Sequence, residues 1–258
     1  MCGEILYWYV KNHIINLEKN HTPDIFQNSI PRGGFLDIKH ILKMLEYCGM
    51  SYSNFQPEFL GEKLIFINDS ATDIQCFLRI NKNIATIVFR GSDSKKDWQT
   101  DSKFWKTTVP YGNYSSRIRV HSGFINAYKS PGIRLKIQKY INDFDVQKIY
   151  LTGHSYGAAL AVICAVDLEY NFPKKDYEVV AFGCPRVGNN AFKKSYNLRV
   201  FKTLRVENVG DMVTKIPFSF LGYRHVGAKL KIGKKSGILP FSMKKHNLQE
   251  YYSNIWRV

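Results

Sequence analysis

The sequence predicts an α/β domain in which a mostly parallel central sheet is covered by helices. Three observations carry this expectation. Strand-type runs alternate with helix-type runs through the second half of the chain, the order that lays parallel strands beneath crossover helices. The chain has 258 residues, 45% of them hydrophobic and 22% charged, which suits one large domain with a sizeable core. A serine flanked by glycines, in Leu151-Thr152-Gly153-His154-Ser155-Tyr156-Gly157, stands where a strand-like run gives way to a helix-like one.

We take residues 1–258 as a single domain and residues 1–60 as an N-terminal helical extension packed on it. In residues 37–47 the apolar side chains Ile38, Ile41, Leu42 and Leu45 recur at the spacing of one helix face, and Asp37 is placed to cap it. Residues 74–80 and 84–89 read as strands around the turn Asn81-Lys82-Asn83. Residues 91–118 are polar and irregular. A helix over 123–144 is interrupted at Pro131-Gly132. A strand at 148–152, an alanine-rich helix at 157–170, strands at 178–182, 200–206 and 226–232, and a helix at 247–255 complete the pattern.

Composition narrows the classes. No apolar run approaches the roughly 20 residues of a membrane helix. The start carries Glu4 and no basic residue before Lys11, unlike a secretory signal. Cys2, Cys48, Cys76, Cys164 and Cys184 are scattered, without CxxC pairs, which fits neither a disulfide framework nor a zinc site. We expect reduced thiols and an intracellular setting; a mature secreted chain would read alike. Lys and Arg total 37 against 21 Asp and Glu, a net charge of +16 that would attract nucleic acid, anionic membranes or acidic substrates. No zinc finger, helix-turn-helix or RNA-recognition signature accompanies it, so nucleic acid is not expected.

Gly153-His154-Ser155-Tyr156-Gly157 is a G-x-S-x-G between strand and helix, the setting of a nucleophile elbow. The two glycines allow a sharp turn and close helix–strand approach. Ser155 then stands at the tip, and the N–H of Tyr156, at the helix start, can face a developing oxyanion. A serine hydroxyl needs a base, and the base an orienting carboxylate. The α/β-hydrolase order is serine, acid, histidine. Asp167 and Glu169 fall on the helix after the serine, and Asp176 and Glu178 ahead of a strand. Asp211 follows the 200–206 strand in a carboxyl-end loop, where catalytic groups of open sheets collect, and is the candidate acid, with Glu207 second. Two histidines follow Ser155. His225 opens the 226–232 strand, whereas His246 lies in a loop, which suits a mobile base; residue logic leaves both in play.

These segments resemble the class 3 lipase family over residues 60–256. Ile87-Val88-Phe89-Arg90-Gly91-Ser92, with Asp97-Trp98 and Asp101, is similar to the family's arginine-glycine turn and lid; Val120-His121-Ser122-Gly123-Phe124 to its H-x-G-F; residues 151–160 to its elbow. Phe182-Gly183-Cys184-Pro185-Arg186-Val187-Gly188-Asn189 resembles its G-x-P-R-V-G-N, and residues 208–217 its aspartate loop. The resemblance implies that His246 is the base, since Lys245-His246-Asn247-Leu248-Gln249-Glu250-Tyr251 is similar to a D-H-x-x-Y segment, with Lys245 in place of the usual acid. It implies Ser92 as the first oxyanion donor beside Tyr156. His121 and His154 are expected to be structural, and Cys184 a small buried residue. Trp98, Phe104 and Trp105, set among Lys95, Lys96, Asp97, Asp101 and Lys103, read as a lid contacting substrate, with core packing the plainer alternative.

The implied activity is hydrolysis of lipid esters, acylglycerols first, through a Ser155–Asp211–His246 triad and an acyl-enzyme. Phospholipase A1-type action and a catalytically inactive anionic-lipid-binding member of the fold are the alternatives. No metal or organic cofactor is expected. Residues 201–258 hold 11 basic and 3 acidic residues, half the net excess, around Asp211 and His246. This points to peripheral contact with an anionic membrane or lipid surface.

Overall fold

The computed structural model describes residues 37–53, 61–91, 105–109, 115–234 and 242–256. Its centre is a seven-stranded sheet in the order β1-β2-β3-β6-β7-β9-β11. β1 (Lys63–Asp69), β2 (Ile74–Asn81) and β3 (Ile84–Phe89) are antiparallel neighbours. From β3 onward β6 (Lys148–His154), β7 (Asp176–Phe182), β9 (Thr203–Asn208) and β11 (Ala228–Ile232) run parallel. The expected mostly parallel sheet is present, with an antiparallel edge.

Helices cover both faces, which is why the central strands are buried almost end to end. On one face lie α2 (Ser122–Tyr128), α3 (Arg134–Asp143), α4 (Tyr156–Asn171) and α5 (Asn190–Arg199), packed around Phe124, Ile137, Leu160 and Tyr196. On the other lie α1 (Ile38–Met50) and α6 (Leu248–Ile255), packed on Phe77, Val180 and Val206 through Ile41, Leu45 and Tyr251. Asp37 caps α1 by accepting from the Lys39 N–H at 3.2 Å. The rest of the expected extension, residues 1–36 and 54–60, lies outside the described residues. No helix among the described residues is long and apolar enough to cross a membrane.

Three expectations shift by a few residues. The strand read at 200–206 is Thr203–Asn208, because the Val200 N–H still bonds the Tyr196 carbonyl as the end of α5. The strand read at 226–232 begins at Ala228, since Gly227 takes φ +65° against Thr203. Asp176 and Glu178 stand inside β7 rather than ahead of it. A second antiparallel sheet, unforeseen from sequence, joins β10 (Tyr223–Arg224), β8 (Gly188–Asn189), β5 (Arg119–His121) and β4 (Lys106–Thr108).

The carboxyl ends of β6, β7 and β9 lie along one edge of the central sheet. They lead to Ser155, Gly183 and Asp211, the edge where ligands of open α/β sheets bind.

Candidate active site

Ser155 joins β6 to α4 at φ +59° and ψ −124°, a conformation an L-residue adopts at a cost of about 1–3 kcal/mol. Two glycines make the turn possible. A Cβ on Gly153 would stand 2.4 Å from the Gly157 carbonyl, and one on Gly157 would stand 2.3 Å from the Phe89 oxygen. These neighbours are backbone and cannot yield. The Ser155 N–H donates to the Phe182 carbonyl at 3.0 Å, which ties the elbow to the end of β7. Tyr156 is the first residue of α4, so its N–H has no intrahelical acceptor and points with the helix dipole. Its ring packs edge-on against Phe124 at 5.5 Å.

Asp211 is fully buried and its carboxylate is held from three sides. Oδ1 accepts from the Val213 N–H at 2.8 Å, and Oδ2 accepts from the Tyr251 hydroxyl at 2.6 Å and from His246 Nδ1 at 2.8 Å. The Thr214 hydroxyl donates to the Asp211 carbonyl at 2.9 Å. Burial, then the Asp211 charge, hold the Tyr251 phenol well above its ordinary range, so it remains a donor.

His246 reaches Asp211 from 35 residues downstream through backbone pairing. Ser242 forms a parallel bridge with Asp211 and its N–H donates to the Gly210 carbonyl at 2.9 Å. Asn208 fastens the same junction, donating from Nδ2 to the Lys245 carbonyl at 3.0 Å and accepting from Asn254 at 2.9 Å. Because Nδ1 donates to Asp211, Nε2 carries the lone pair. That atom is buried and has no hydrogen-bond partner among the described residues.

His154 sets the imidazole against the elbow. Its ring stacks on His246 with centroids 4.4 Å apart, and its Nε2 donates to the His246 carbonyl at 2.8 Å. Its Nδ1 therefore accepts from the Tyr52 hydroxyl at 3.2 Å. Burial, then the neighbouring His246, push His154 well below the ordinary histidine range, so it stays neutral and structural. Gly183, at φ +57°, completes the fit, since a Cβ there would lie 2.8 Å from His246 Cε1.

The rival candidates sit elsewhere. His225 donates from Nε2 to the Thr214 carbonyl at 2.8 Å, and burial, then Arg205, push it down to about 2. Glu207 is bonded to Arg205, whose Nε also donates to the Val226 carbonyl at 2.5 Å. Asp167 is occupied by Tyr128, Arg134 and Gln138. His121 caps α2, accepting at Nδ1 from the Gly123 N–H at 3.2 Å, and Cys184 is buried. Lys245 bonds Glu250 at 3.0 Å, away from the Asp211 carboxylate. Trp105 is 69% exposed just before β4, but its carbonyl accepts from Ser122 N and the Tyr223 hydroxyl, so its backbone belongs to the small sheet. Ser92, Trp98 and Phe104 lie outside the described residues.

Sequence reasoning missed Tyr251, Gly183 and the Tyr52–His154 brace. For Tyr251 a signal exists in the sequence, since its segment is similar to D-H-x-x-Y.

The family model for lipase (class 3) matches residues 86–221, more than half of the chain, and runs through the elbow and the aspartate loop. The chain belongs to the class 3 lipase family. Among relatives of this class 3 lipase, a chloroplastic phospholipase A(1), DAD1, of Arabidopsis thaliana is 30% identical over 155 residues, 54% of this chain and 35% of that protein. A lipase of Rhizomucor miehei is 31% identical over 155 residues, 58% of this chain and 42% of that protein. The chain thus spans about two fifths or less of the length of these relatives. A solved triacylglycerol lipase, whose catalytic centre is described as a serine-protease triad, superposes with TM-score 0.66 and 22% identity over 80% of this chain and 89% of that one. That likeness establishes an α/β-hydrolase-type fold for this class 3 lipase.

Proposed function

We propose that this class 3 lipase hydrolyses carboxylic esters of lipids through an acyl-enzyme on Ser155. The observation that carries the reading is the buried Asp211–His246 pair, packed against the Ser155 elbow with Nε2 left as a lone-pair acceptor. Nε2 takes the Ser155 proton as the oxygen attacks the ester carbonyl. The N–H groups of Tyr156 and Ser92 hold the oxyanion. The imidazolium, steadied by Asp211, gives that proton to the leaving alcohol; the neutral imidazole then takes a proton from water as the water oxygen attacks the acyl carbonyl, and delivers it to the Ser155 oxygen as the bond to the fatty acid breaks.

Acylglycerols are the proposed substrates. Phospholipid esters are the second reading, favoured by the phospholipase A(1) relative and by the basic excess of the chain. Trp98, Phe104 and Trp105 are the proposed lid and substrate contacts, with the Trp105 backbone as its fixed end. The chain is read as one domain with residues 1–60 as an extension. The four cysteines within the described residues are free and buried, which supports a reducing compartment, and the positive charge supports peripheral contact with anionic lipid.

A fluorophosphonate probe tests the chemistry. Labelling is expected for the native chain and absent from Ser155→Ala. Equal labelling of both, or of neither, would sink the assignment. Turnover of triolein against phosphatidylcholine separates the two substrate readings.

A further inference from the structure

The net charge is concentrated in two stretches that contain no acidic residue at all. Residues 102–142 hold eight Lys and Arg, and residues 212–249 hold another eight. The rest of the chain carries 21 basic and 21 acidic residues, so it is neutral. The small sheet brings these two stretches together. β4 and β5 come from the first and β10 from the second, with β8 between β5 and β10.

The junction carries an exposed apolar tip. The short helical turn Ser219–Leu221 follows the Asp211 loop, and Phe218 and Phe220 stack there in parallel, 5.3 Å apart. Phe220 is 81% exposed, beside exposed Phe218 and Leu221, and Trp105 is exposed at the start of the small sheet. The tip is fastened rather than loose. Lys106 Nζ donates to the Leu221 carbonyl at 2.6 Å and lies 4.3 Å over the Tyr223 ring, Arg224 donates to the Ser219 carbonyl at 2.7 Å, and Tyr223 bonds the Trp105 carbonyl. Among the described residues none of Lys106, Arg119, Lys215 and Arg224 is ion-paired with a carboxylate.

A second exposed apolar group provides the contrast. Leu198, Phe201 and Tyr170 stand at the opposite edge of the central sheet, where β7 and β9 begin. There the cations are neutralised, Arg199 by Glu169 and Lys202 by Asp176. Of these two groups, both within the described residues, the Phe218–Leu221 tip is the one that combines protruding aromatics with cations free of carboxylate partners, and it follows the Asp211 loop in the chain.

We propose that this tip and the small sheet form a docking surface for an anionic phospholipid bilayer. Phe218, Phe220 and Trp105 enter the headgroup layer, where aromatic side chains are favoured, while Lys106, Arg119, Lys215 and Arg224 meet the phosphates. Stable attachment takes both signals, since neither a few buried rings nor a basic patch holds a protein alone. The proposal rests on the lipid-ester reading and adds to it the surface that presents Ser155 to its substrate.

The test uses the full chain and sedimentation with phosphatidylcholine vesicles, with and without phosphatidylserine. Binding is expected to require phosphatidylserine and to weaken with salt. Phe220→Ser is expected to weaken it about tenfold, and Arg119→Glu and Lys215→Glu about fivefold or more each. Phe201→Ser, at the opposite edge, is expected to bind as the native chain does, and melting curves confirm that each variant is folded. Equal binding to neutral vesicles, or equal loss in Phe201→Ser, would overturn the proposal. Binding that follows the charges but ignores Phe220→Ser would mark a general polyanion surface and overturn it too. Turnover of a soluble short-chain ester by the native chain, without vesicles, reads the hydrolase assignment separately.

Discussion

Replacing Gly183 by alanine probes how tightly the imidazole is seated. Gly183 leaves β7 at φ +57°, and a Cβ built there stands 2.8 Å from His246 Cε1, 2.9 Å from Nδ1 and 3.1 Å from the Tyr251 hydroxyl. Ordinary contact begins at 3.4 Å, so the ring must retreat by about 0.6 Å. It is poorly free to do so, because it stacks on His154 and its Nδ1 is tied to Asp211 at 2.8 Å. A displacement of this size at a proton-transfer atom is expected to lower kcat/KM by about 100-fold on a soluble ester. The left-handed backbone adds a stability loss of about 1–2 kcal/mol, or roughly 4 °C in Tm for a chain of this length. Gly61→Ala separates the two effects. Gly61 has φ +80° and no atom within 4 Å among the described residues, so it should lose a similar Tm and keep its turnover. Native-like kcat/KM in Gly183→Ala, or an equal activity loss in Gly61→Ala, would refute the steric argument.

Two further outcomes follow from the same geometry. Ser155→Gly removes the proposed nucleophile and also relieves the positive φ, so turnover should vanish while Tm rises by about 2 °C or more; calorimetry showing an unchanged or lower Tm would contradict the strain at the elbow. His225 is held at about 2 in the fold and returns to an ordinary value near 6.5 when unfolded, so the unfolded chain binds a proton that the native chain refuses. Its contribution is therefore complete above pH 6.5 and is lost as pH falls from there toward 2. His225→Gln, which can still donate to the Thr214 carbonyl, should flatten the decline in stability between pH 6.5 and 5 by up to about 1.4 kcal/mol per pH unit, read from urea midpoints; an unchanged slope would show that His225 does not titrate this way.

What could be read in the sequence was what local rules write. The elbow was legible because strand, tight turn and helix are contiguous and because Gly153 and Gly157 have no substitute there. α1 was legible from its apolar spacing and its Asp37 cap, and the β2–β3 hairpin from the turn between its strands. Other elements left little trace. α5 buries only Phe192 and Tyr196, too few positions to mark a helical face. β8 and β10 have two residues each, too short for alternation to register.

By itself the sequence determined the α/β class, the candidate serine, the chain order of its candidate partners and the +16 charge. Residue spacing left His225 and His246 open and the family resemblance implied His246; the tertiary structure shows His246 on Asp211 and why it is there. His225 and His246 are both downstream and both plausible by spacing, and the choice is made by the Ser242–Asp211 bridge and the Asn208 bonds, contacts between segments more than 30 residues apart. The same holds for Gly183 and Tyr251, whose importance lies in what approaches them, and for the charge. Two acid-free stretches far apart in the chain meet in the small sheet because β5 and β10 both pair with β8. Periodicity reports how a residue relates to its own element. It carries no information about which elements a sheet will bring within hydrogen-bonding distance.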